Sequence, residues 1–327
     1  MGDVAMTLPV LKALLNQNKG LKITFVSRPF FEPMFNEIEN LNFYPVDLDK
    51  KHKGFFGLQK LAKELIKLDI DYIADLHNVL RSNILLSRFK IKGIRQAQID
   101  KGRAQKKRLT HPNKKQFFPL KTTHERYADV FRTLGFNLDL SEVQLNDKKE
   151  MTPEIQELFN LPSTHKKIGI APFAAHKGKE YPMKLMKQVI ANLSEEIFLF
   201  GGKNDVNVLE KLETEYPNVN SVAGKLTFEQ ELALISNLDV MVSMDSGNGH
   251  LATNFGVPVI TIWGVTHPYA GFVPFNQPEE NQITADLEKF PLIPTSIYGN
   301  KYPEGYLDCF KTIAPEHIIQ VIKNALN

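Results

Sequence analysis

The chain has 327 residues and a single cysteine, and it carries 40 Lys and Arg against 37 Asp and Glu, a net charge of +3. A chain of this length is expected to form two domains, because one hydrophobic core rarely grows that large. The lone Cys309 excludes an internal disulfide framework. No apolar run approaches the roughly 18 residues of a membrane-spanning helix, and the opening residues lack the basic run of a signal peptide, so we expect a cytoplasmic protein.

The first half alternates short β-rich runs with helical patterns, which predicts an α/β fold with parallel sheets. Helices are predicted at 5–15, 58–68, 79–89 and 124–134, and strands at 22–28, 42–48 and 71–76. The chain opens on a loop and a helix, whereas a Rossmann-like domain normally begins with a buried strand. We therefore expect the first strand to be missing from this sequence, with Met1 an internal methionine of a longer chain.

Basic residues are concentrated between Lys90 and Arg126. This stretch holds twelve Lys and Arg but only two acidic residues, a net charge of +10. Such a concentration attracts phosphates or carboxylates of a partner. A solvated basic surface without a ligand is the alternative interpretation.

A connector rich in charge, Pro and Asn covers residues 139–167, and the α/β pattern then restarts. Further strands are predicted at 167–171, 197–200, 221–222, 240–243 and 259–262. We predict two similar domains, 1–150 and 151–327. Because ligands of such sheets bind at the carboxyl ends of the strands, the loops that follow strands are the candidate sites.

The strongest local motif follows the strand predicted at 240–243. Small polar residues and two glycines occur at 245–249, and a helix is predicted directly afterwards. Backbone N–H groups in such a turn can approach a diphosphate closely, and a helix N-terminus favours the negative charge. An ordinary N-cap at Asp245 or Ser246 would produce a similar pattern, so the residues alone leave both interpretations open.

Three weaker motifs also lie beside predicted helix starts. Lys179 follows the strand at 167–171, where its ammonium group could neutralise a phosphate. Asp205 follows the strand at 197–200, where it could bind ribose hydroxyls or cap a helix. Asp3 precedes the first helix, as an N-cap or as a general base.

Several classes of enzyme lack their signatures in this sequence. The nine His do not cluster with Cys or acidic residues at metal-ligand spacing, so no metal site is expected. A G-x-S-x-G elbow, a Walker loop and the G-x-G-x-x-G fingerprint are also missing. We therefore expect no bound cofactor.

Taken together, the motifs resemble glycosyltransferase family 9, the lipopolysaccharide heptosyltransferase family. The resemblance covers essentially the whole chain, at D-S-G-x-x-H-L-A (245–252), G-V-P (256–258), W-G-V-T-x-P (263–268), G-D-V-x-x-x-x-P (2–9) and K-x-Y-P (179–182). It implies a GT-B fold, with two Rossmann-like domains facing a central cleft. The acceptor would bind the N-terminal domain and the nucleotide-sugar donor the C-terminal domain.

The resemblance also implies roles for individual residues. Asp3 is similar to the proposed catalytic base of the family, Lys179 to a lysine that meets the donor diphosphate, and Asp205 to an acidic residue on the ribose. Leu226 corresponds to an apolar contact of the nucleotide base. The diphosphate-binding turn would consist of Asp245, Ser246, Gly247, Asn248, Gly249 and His250.

The implied reaction is inverting, metal-independent transfer of a sugar, with heptose from ADP-heptose as the expected donor. The basic stretch, around Lys101, Arg103, Lys106, Lys107 and Arg108, fits an anionic lipid-linked acceptor of the lipopolysaccharide-core type. His77, Asn78 and Arg81 are further acceptor candidates, and a capped strand-to-helix turn is their alternative. We expect a monomer that does not bind nucleic acid and that can contact the inner face of the inner membrane peripherally. A nucleotide-sugar epimerase and an inactive nucleotide-sugar-binding homologue remain alternatives.

Overall fold

The computed structural model describes residues 1–161 and 164–327, which form two units. The first unit comprises residue 1 and residues 6–103 and 123–144, and the second comprises 2–5, 104–122 and 145–327. The main change of unit therefore follows residue 144, whereas the sequence predicted a boundary after 150. The second unit also takes in two segments of the N-terminal half. Hydrogen bonds fix both of them, since Ala5 O accepts one from the side-chain Nδ2 of Asn254 and the backbone N–H of Leu120 donates one to Tyr269 O.

The first unit is built from parallel strand pairs and helices, as predicted. β1 (Ile23–Ser27) pairs with β2 (Leu41–Pro45), and β3 (Tyr72–Asp75) pairs with β4 (Arg95–Gln98). The helices are α2 (Thr7–Gln17), α3 (Gly54–Ile66), α4 (Leu80–Ile91) and α6 (Thr123–Leu134), and α5 (Arg103–Leu109) crosses into the second unit. The sequence did not predict β4, because R-Q-A-Q has no apolar run.

No strand joins the two strand pairs of the first unit within the described residues. Among the described strands, β1 and β3 each pair on one side only. Side chains of β1 are half-buried and Val26 is 38% exposed. One buried cluster of this unit lies between β2, α3 and α4 and contains Val46, Leu61, Leu65 and Phe89. The helices α2 and α6 bury further apolar side chains.

The second unit contains a parallel sheet of six described strands in the order β10-β9-β8-β5-β6-β7. The strands are β5 (Lys167–Ala171), β6 (Glu196–Leu199), β7 (Val219–Ser221), β8 (Val240–Met244), β9 (Val259–Trp263) and β10 (Gln282–Thr284). Its helices are α1 (Gly2–Ala5), α7 (Pro153–Leu158), α8 (Met183–Ala191), α9 (Val206–Glu215), α10 (Phe228–Ser236), α11 (Gly247–Thr253) and α12 (Pro315–Leu326). Every residue of β8 and β9 is buried, as expected for inner strands of a sheet covered on both faces.

The strand order reverses between β5 and β8. From β5 the chain moves outward through β6 to β7, and from β8 it moves outward in the opposite direction through β9 to β10. Loops that leave two such strands at their carboxyl ends diverge and leave a crevice between them, where open α/β sheets bind their ligands. The loops after β5 and β8 are those that carry Lys179 and residues 245–249. In the described part of the chain, no helix has the length and apolar character needed to cross a membrane.

Candidate functional site

Two motifs separated by 66 positions meet at this reversal of strand order. Lys179 Nζ lies 2.7 Å from Asp245 Oδ2 and donates a hydrogen bond of 3.2 Å to the carbonyl oxygen of Asp245. The two side chains are 13% and 5% exposed, so little solvent screens the ion pair. The pairing holds the ammonium group of Lys179 at the start of the 245–249 turn.

Backbone packing positions the turn that carries Lys179. Residues Lys177–Lys179 form one 3₁₀ turn, and the carbonyl oxygen of Gly178 accepts a hydrogen bond of 2.9 Å from Val265 N. A Cβ atom at position 178 would lie 2.5 Å from Val265 Cγ2 and in collision with the carbonyl oxygen of Gly299. Only glycine therefore fits at position 178 without moving the loop.

We expect Gly178→Ala to lower the free energy of unfolding by roughly 1–3 kcal/mol, because backbone must shift to admit the methyl group. Gly202→Ala is the matched control, since a Cβ atom there would meet Asp205 Oδ2 at an ordinary 3.5 Å. Chemical denaturation of both variants measures the difference. Equal stabilities for the two variants would contradict the packing argument.

The 245–249 turn does not use its side chains as an ordinary helix cap. Ser246 is the N-cap residue of α11, yet its side chain makes no capping hydrogen bond. Within residues 1–161 and 164–327 its hydroxyl oxygen has no hydrogen-bond partner. Ser246, Gly247 and Asn248 are half-buried, whereas Gly249 and His250 are buried. Ser246 thus occupies the N-cap position without capping the helix through its side chain, and its buried hydroxyl has no partner among the described residues.

Gly249 allows α11 to lie close to the sheet. A Cβ atom at this position would be 2.6 Å from Ser243 Oγ on β8. Close packing of the helix on the strand brings the backbone of residues 246–248 to the carboxyl end of β8. The close packing of α11 on β8 therefore explains why residue 249 is a glycine. The other glycine of the turn, Gly247, faces α1.

Helix α1 packs against α11, which the sequence did not predict. A Cβ atom on Gly2 would lie 3.3 Å from His250 Cδ2 and 3.7 Å from Gly247 Cα. Asn254, just after α11, donates a buried hydrogen bond of 3.1 Å from Nδ2 to Ala5 O. Asp3 is exposed in the first turn of α1. The first helix was predicted to begin at Ala5, so the interpretation of Asp3 as its N-cap is wrong, because the helix already includes Asp3.

Asp205 and Leu226 lie at the same edge of the sheet as Lys179, since they follow β6 and β7. Asp205 Oδ2 accepts a hydrogen bond of 2.8 Å from Gly202 N and so closes the turn before α9. Leu226 is half-buried and precedes Thr227, which caps α10 through a reciprocal pair of hydrogen bonds with Gln230. Their contacts with ribose and with the nucleotide base remain predictions.

The five acceptor candidates all lie at the carboxyl ends of β3 and β4 in the first unit. His77, Arg81 and Arg103 are exposed, and Lys101 is half-buried. Arg103 Nη2 donates a hydrogen bond of 3.4 Å to Asn78 O. Asn78 Nδ2 donates a hydrogen bond to Ile99 O, so the side chain of Asn78 connects the loops after β3 and β4. This contact agrees with the alternative interpretation, in which Asn78 belongs to a structural turn. The structure brings the three cations Arg81, Lys101 and Arg103 to one edge, and acceptor binding there remains a prediction.

Asp75 organises this edge, and the sequence did not single it out. Its Oδ1 accepts hydrogen bonds from the backbone of His77 and Asn78, and its Oδ2 accepts one from Gln98 Nε2. Burial alone would raise the pKa of Asp75, but the hydrogen bonds from Gln98 and from the Asn78 backbone lower it below the usual value. Asp75 is therefore a charged structural group that fixes the loop carrying His77. In the sequence, its position at the end of a predicted strand could have identified it.

The predicted basic stretch is divided between the units. Lys101 and Arg103 belong to the first unit, whereas residues 104–122 belong to the second.

Metal ligands are not clustered in the described residues, where no group of three or more His, Cys, Asp or Glu side chains could hold an ion.

Comparison with known proteins connects this geometry to a family. The model of glycosyltransferase family 9 (heptosyltransferase) matches residues 58–291. The chain is 22% identical to lipooligosaccharide heptosyltransferase 2 of Campylobacter jejuni, over 99% of this chain and 95% of that protein. Among solved structures, the glycosyl transferase family 9 protein of Veillonella parvula aligns with a TM-score of 0.74 at 20% identity, covering 99% of this chain and 94% of that one. The ADP-heptose lipopolysaccharide heptosyltransferase II of Escherichia coli aligns with a TM-score of 0.69 at 17% identity, covering 99% and 95%. These structural likenesses confirm the predicted two-domain GT-B fold.

Proposed function

Because the chain belongs to glycosyltransferase family 9, the heptosyltransferase family, we propose that it transfers heptose from ADP-heptose onto an anionic acceptor of the lipopolysaccharide-core type. The observation that carries this proposal is the meeting of Lys179 with the 245–249 turn between β5 and β8. A lysine and an uncapped, glycine-containing turn at a reversal of strand order suit a diphosphate. The name of the E. coli relative, which specifies ADP-heptose, supports the choice of donor.

On the donor side, the chain's own groups would stabilise the leaving ADP. The glycosidic bond to the diphosphate breaks with its electron pair, so negative charge grows on the departing oxygen. The Lys179 ammonium group and the backbone N–H groups of residues 246–249 would stabilise this charge, with the Ser246 hydroxyl as an additional donor. Asp245 would hold the lysine in place before the donor arrives. We propose that no metal and no cofactor take part.

On the acceptor side, we assign Asp3 as the general base. Its carboxylate would take the proton of the acceptor hydroxyl while that oxygen attacks the anomeric carbon opposite the departing ADP, which inverts the configuration. Arg81, Lys101 and Arg103, with His77 and Asn78, would bind the anionic groups of the acceptor.

We further propose that the protein acts as a monomer, which sedimentation analysis in the presence and absence of ADP would test.

A thermal-shift series with nucleotide diphosphates tests the donor assignment. A ligand that binds only the folded protein raises the melting temperature, and the rise grows with the logarithm of its concentration relative to its dissociation constant. We expect ADP and ADP-heptose to raise it more than UDP, GDP and their sugars at the same concentrations. Transfer to a lipopolysaccharide-core acceptor should continue in excess EDTA. A stronger response to UDP- or GDP-sugars would reject the donor, and loss of transfer in EDTA would reject metal independence.

A further inference from the structure

Residues 104–122, called here the basic segment, form a strongly cationic surface on the second unit. The segment contains five Lys and one Arg, at 106, 107, 108, 114, 115 and 121, and no acidic residue. Most of its residues are exposed. A net charge of +6 on nineteen residues is large for a chain whose total is +3.

The basic segment is held firmly on the second unit. Leu109 and Leu120 are buried against Ala270. Lys106 Nζ lies 4.1 Å from the centroid of the Phe272 ring, and Lys115 Nζ donates to the carbonyl oxygens of Pro291 and Ile293 at 3.1 and 2.8 Å. These contacts lie at both ends of the segment and in its middle. The surface is therefore preorganised, unlike a disordered basic tail.

Three of its cations remain available for a partner. Lys107, Arg108 and Lys114 are exposed, and none of them forms an ion pair in the described part of the chain. Arg108 Nη1 donates a long hydrogen bond of 3.4 Å to the neutral side chain of Gln116. Uncompensated cations on an ordered loop attract an anionic surface.

Two aromatic side chains accompany these cations. Phe117 and Phe118 are 42% and 44% exposed, between the lysines at 114–115 and Lys121. The Phe117 ring packs against His267 and Tyr269, with centroid distances of 4.9 Å to each, so its faces are not free to sandwich a nucleobase. Exposed aromatic rings beside lysines are typical of segments that lie in a membrane interface.

A cavity of about 280 Å³ lies beside the segment. It is lined by Thr110, Pro112, Leu292, Thr295, Lys301, Tyr302 and Pro303. The hydroxyl of Thr110 already donates to Lys106 O and that of Thr295 to Lys301 O. The group of this lining that suits a headgroup phosphate is therefore the ammonium group of Lys301, and the volume admits such a headgroup. Glu304 follows the last lining residue in the sequence. Its single negative charge does not offset the six positive charges of the basic segment.

We propose that the basic segment and this cavity dock the protein on an anionic phospholipid surface. Lys107, Arg108 and Lys114 would lie over headgroup phosphates, while Phe117 and Phe118 would enter the interface between headgroups and acyl chains. This deepens the proposed function and rests on it in one respect, namely that a lipid-linked acceptor is presented at such a surface. Docking itself needs neither donor nor acceptor.

Flotation with lipid vesicles tests the docking surface in the full chain. Vesicles of phosphatidylcholine alone are compared with vesicles that also contain phosphatidylglycerol. We expect binding only to the second kind, and loss of it at high salt. The triple variant Lys107→Glu, Arg108→Glu, Lys114→Glu should bind on the order of 100-fold more weakly, because each cation near an anionic surface contributes about fivefold. Phe118→Ser should weaken binding severalfold.

A matched triple variant controls for the change of net charge. Lys184, Lys211 and Lys323 are exposed on α8, α9 and α12 of the second unit, so their replacement by Glu alters the charge equally. The control should bind anionic vesicles like the unchanged protein. Equal losses in both triple variants, or no vesicle binding by the unchanged protein, would overturn the proposal. Binding of single-stranded RNA in place of vesicles, lost in the first triple variant, would also overturn it.

The ADP thermal shift separates this proposal from the proposed function. Failure to bind vesicles with a normal response to ADP rejects the docking surface alone. Vesicle binding without any response to nucleotides rejects the transferase assignment and leaves the docking surface standing. The first triple variant should keep its melting temperature and its response to ADP, because its three side chains are exposed and form no ion pair in the described part of the chain.

Discussion

Asp3→Asn is expected to lower the rate of sugar transfer by about 10² or more, because a positioned general base typically contributes 10²–10⁴-fold. Asn has nearly the same shape as Asp, so the packing of Gly2 against His250 and Gly247 should persist. The amide cannot accept the proton of the acceptor hydroxyl. Single-turnover transfer measures the chemical step, and calorimetry with ADP should give a nearly unchanged affinity.

The control for Asp3 is another carboxylate in the first turn of a helix. Glu316 is exposed in the first turn of α12, so Glu316→Gln removes one negative charge from a similar environment. It should leave transfer unaffected. If Asp3→Asn weakened ADP binding but transferred heptose at the normal rate, Asp3 would be a structural residue of α1 and the base would have to be sought elsewhere.

Lys179→Met is expected to reduce kcat/KM for the donor by about 10²–10³, the effect typical of losing one stabilising group for a developing anion. Met retains the aliphatic length of the side chain but not its charge. Lys177→Met is the matched control on the same turn, since Lys177 is exposed and pairs only with Glu180 among the described residues. We expect the control to keep normal donor kinetics.

A double variant distinguishes a direct role of Lys179 from a supporting one. Lys179→Met alone leaves Asp245 buried and without its cation, which destabilises the fold. Lys179→Met combined with Asp245→Asn removes both charges and should recover stability. If Lys179 binds the diphosphate, the double variant stays inactive. Recovery of transfer along with stability would show that Lys179 acts only by neutralising Asp245.

Local patterns predicted most elements of the second unit. Periodicity placed β5 at 167–171 in agreement with the structure and β8 and β9 to within one residue, because these strands are short apolar runs bounded by turns. The same approach missed β4, whose polar residues acquire strand structure only by pairing with β3. It also placed the start of α3 four residues late, because Gly54 and two exposed phenylalanines do not belong to the apolar stripe.

The candidate site depended more on tertiary structure than the elements did. Motifs identified Lys179 and residues 245–249 separately, and the resemblance linked them by function. Their ion pair follows from the adjacency of β5 and β8, a property of the strand order that no local window contains. The packing of α1 on α11 and the attachment of residues 104–122 to the second unit likewise join positions far apart in the chain.

The amino-acid sequence by itself determined the α/β class, the family and the residues able to hold a diphosphate, because hydrophobic period, turn residues and charge are properties of neighbouring positions. The tertiary structure decided which of those residues meet, that the Ser246 hydroxyl is left without a protein partner, and which unit carries the basic segment. The physical reason is that burial and pairing arise when segments distant in sequence exclude water from one another. The energy of those contacts depends on the whole fold and not on any local window.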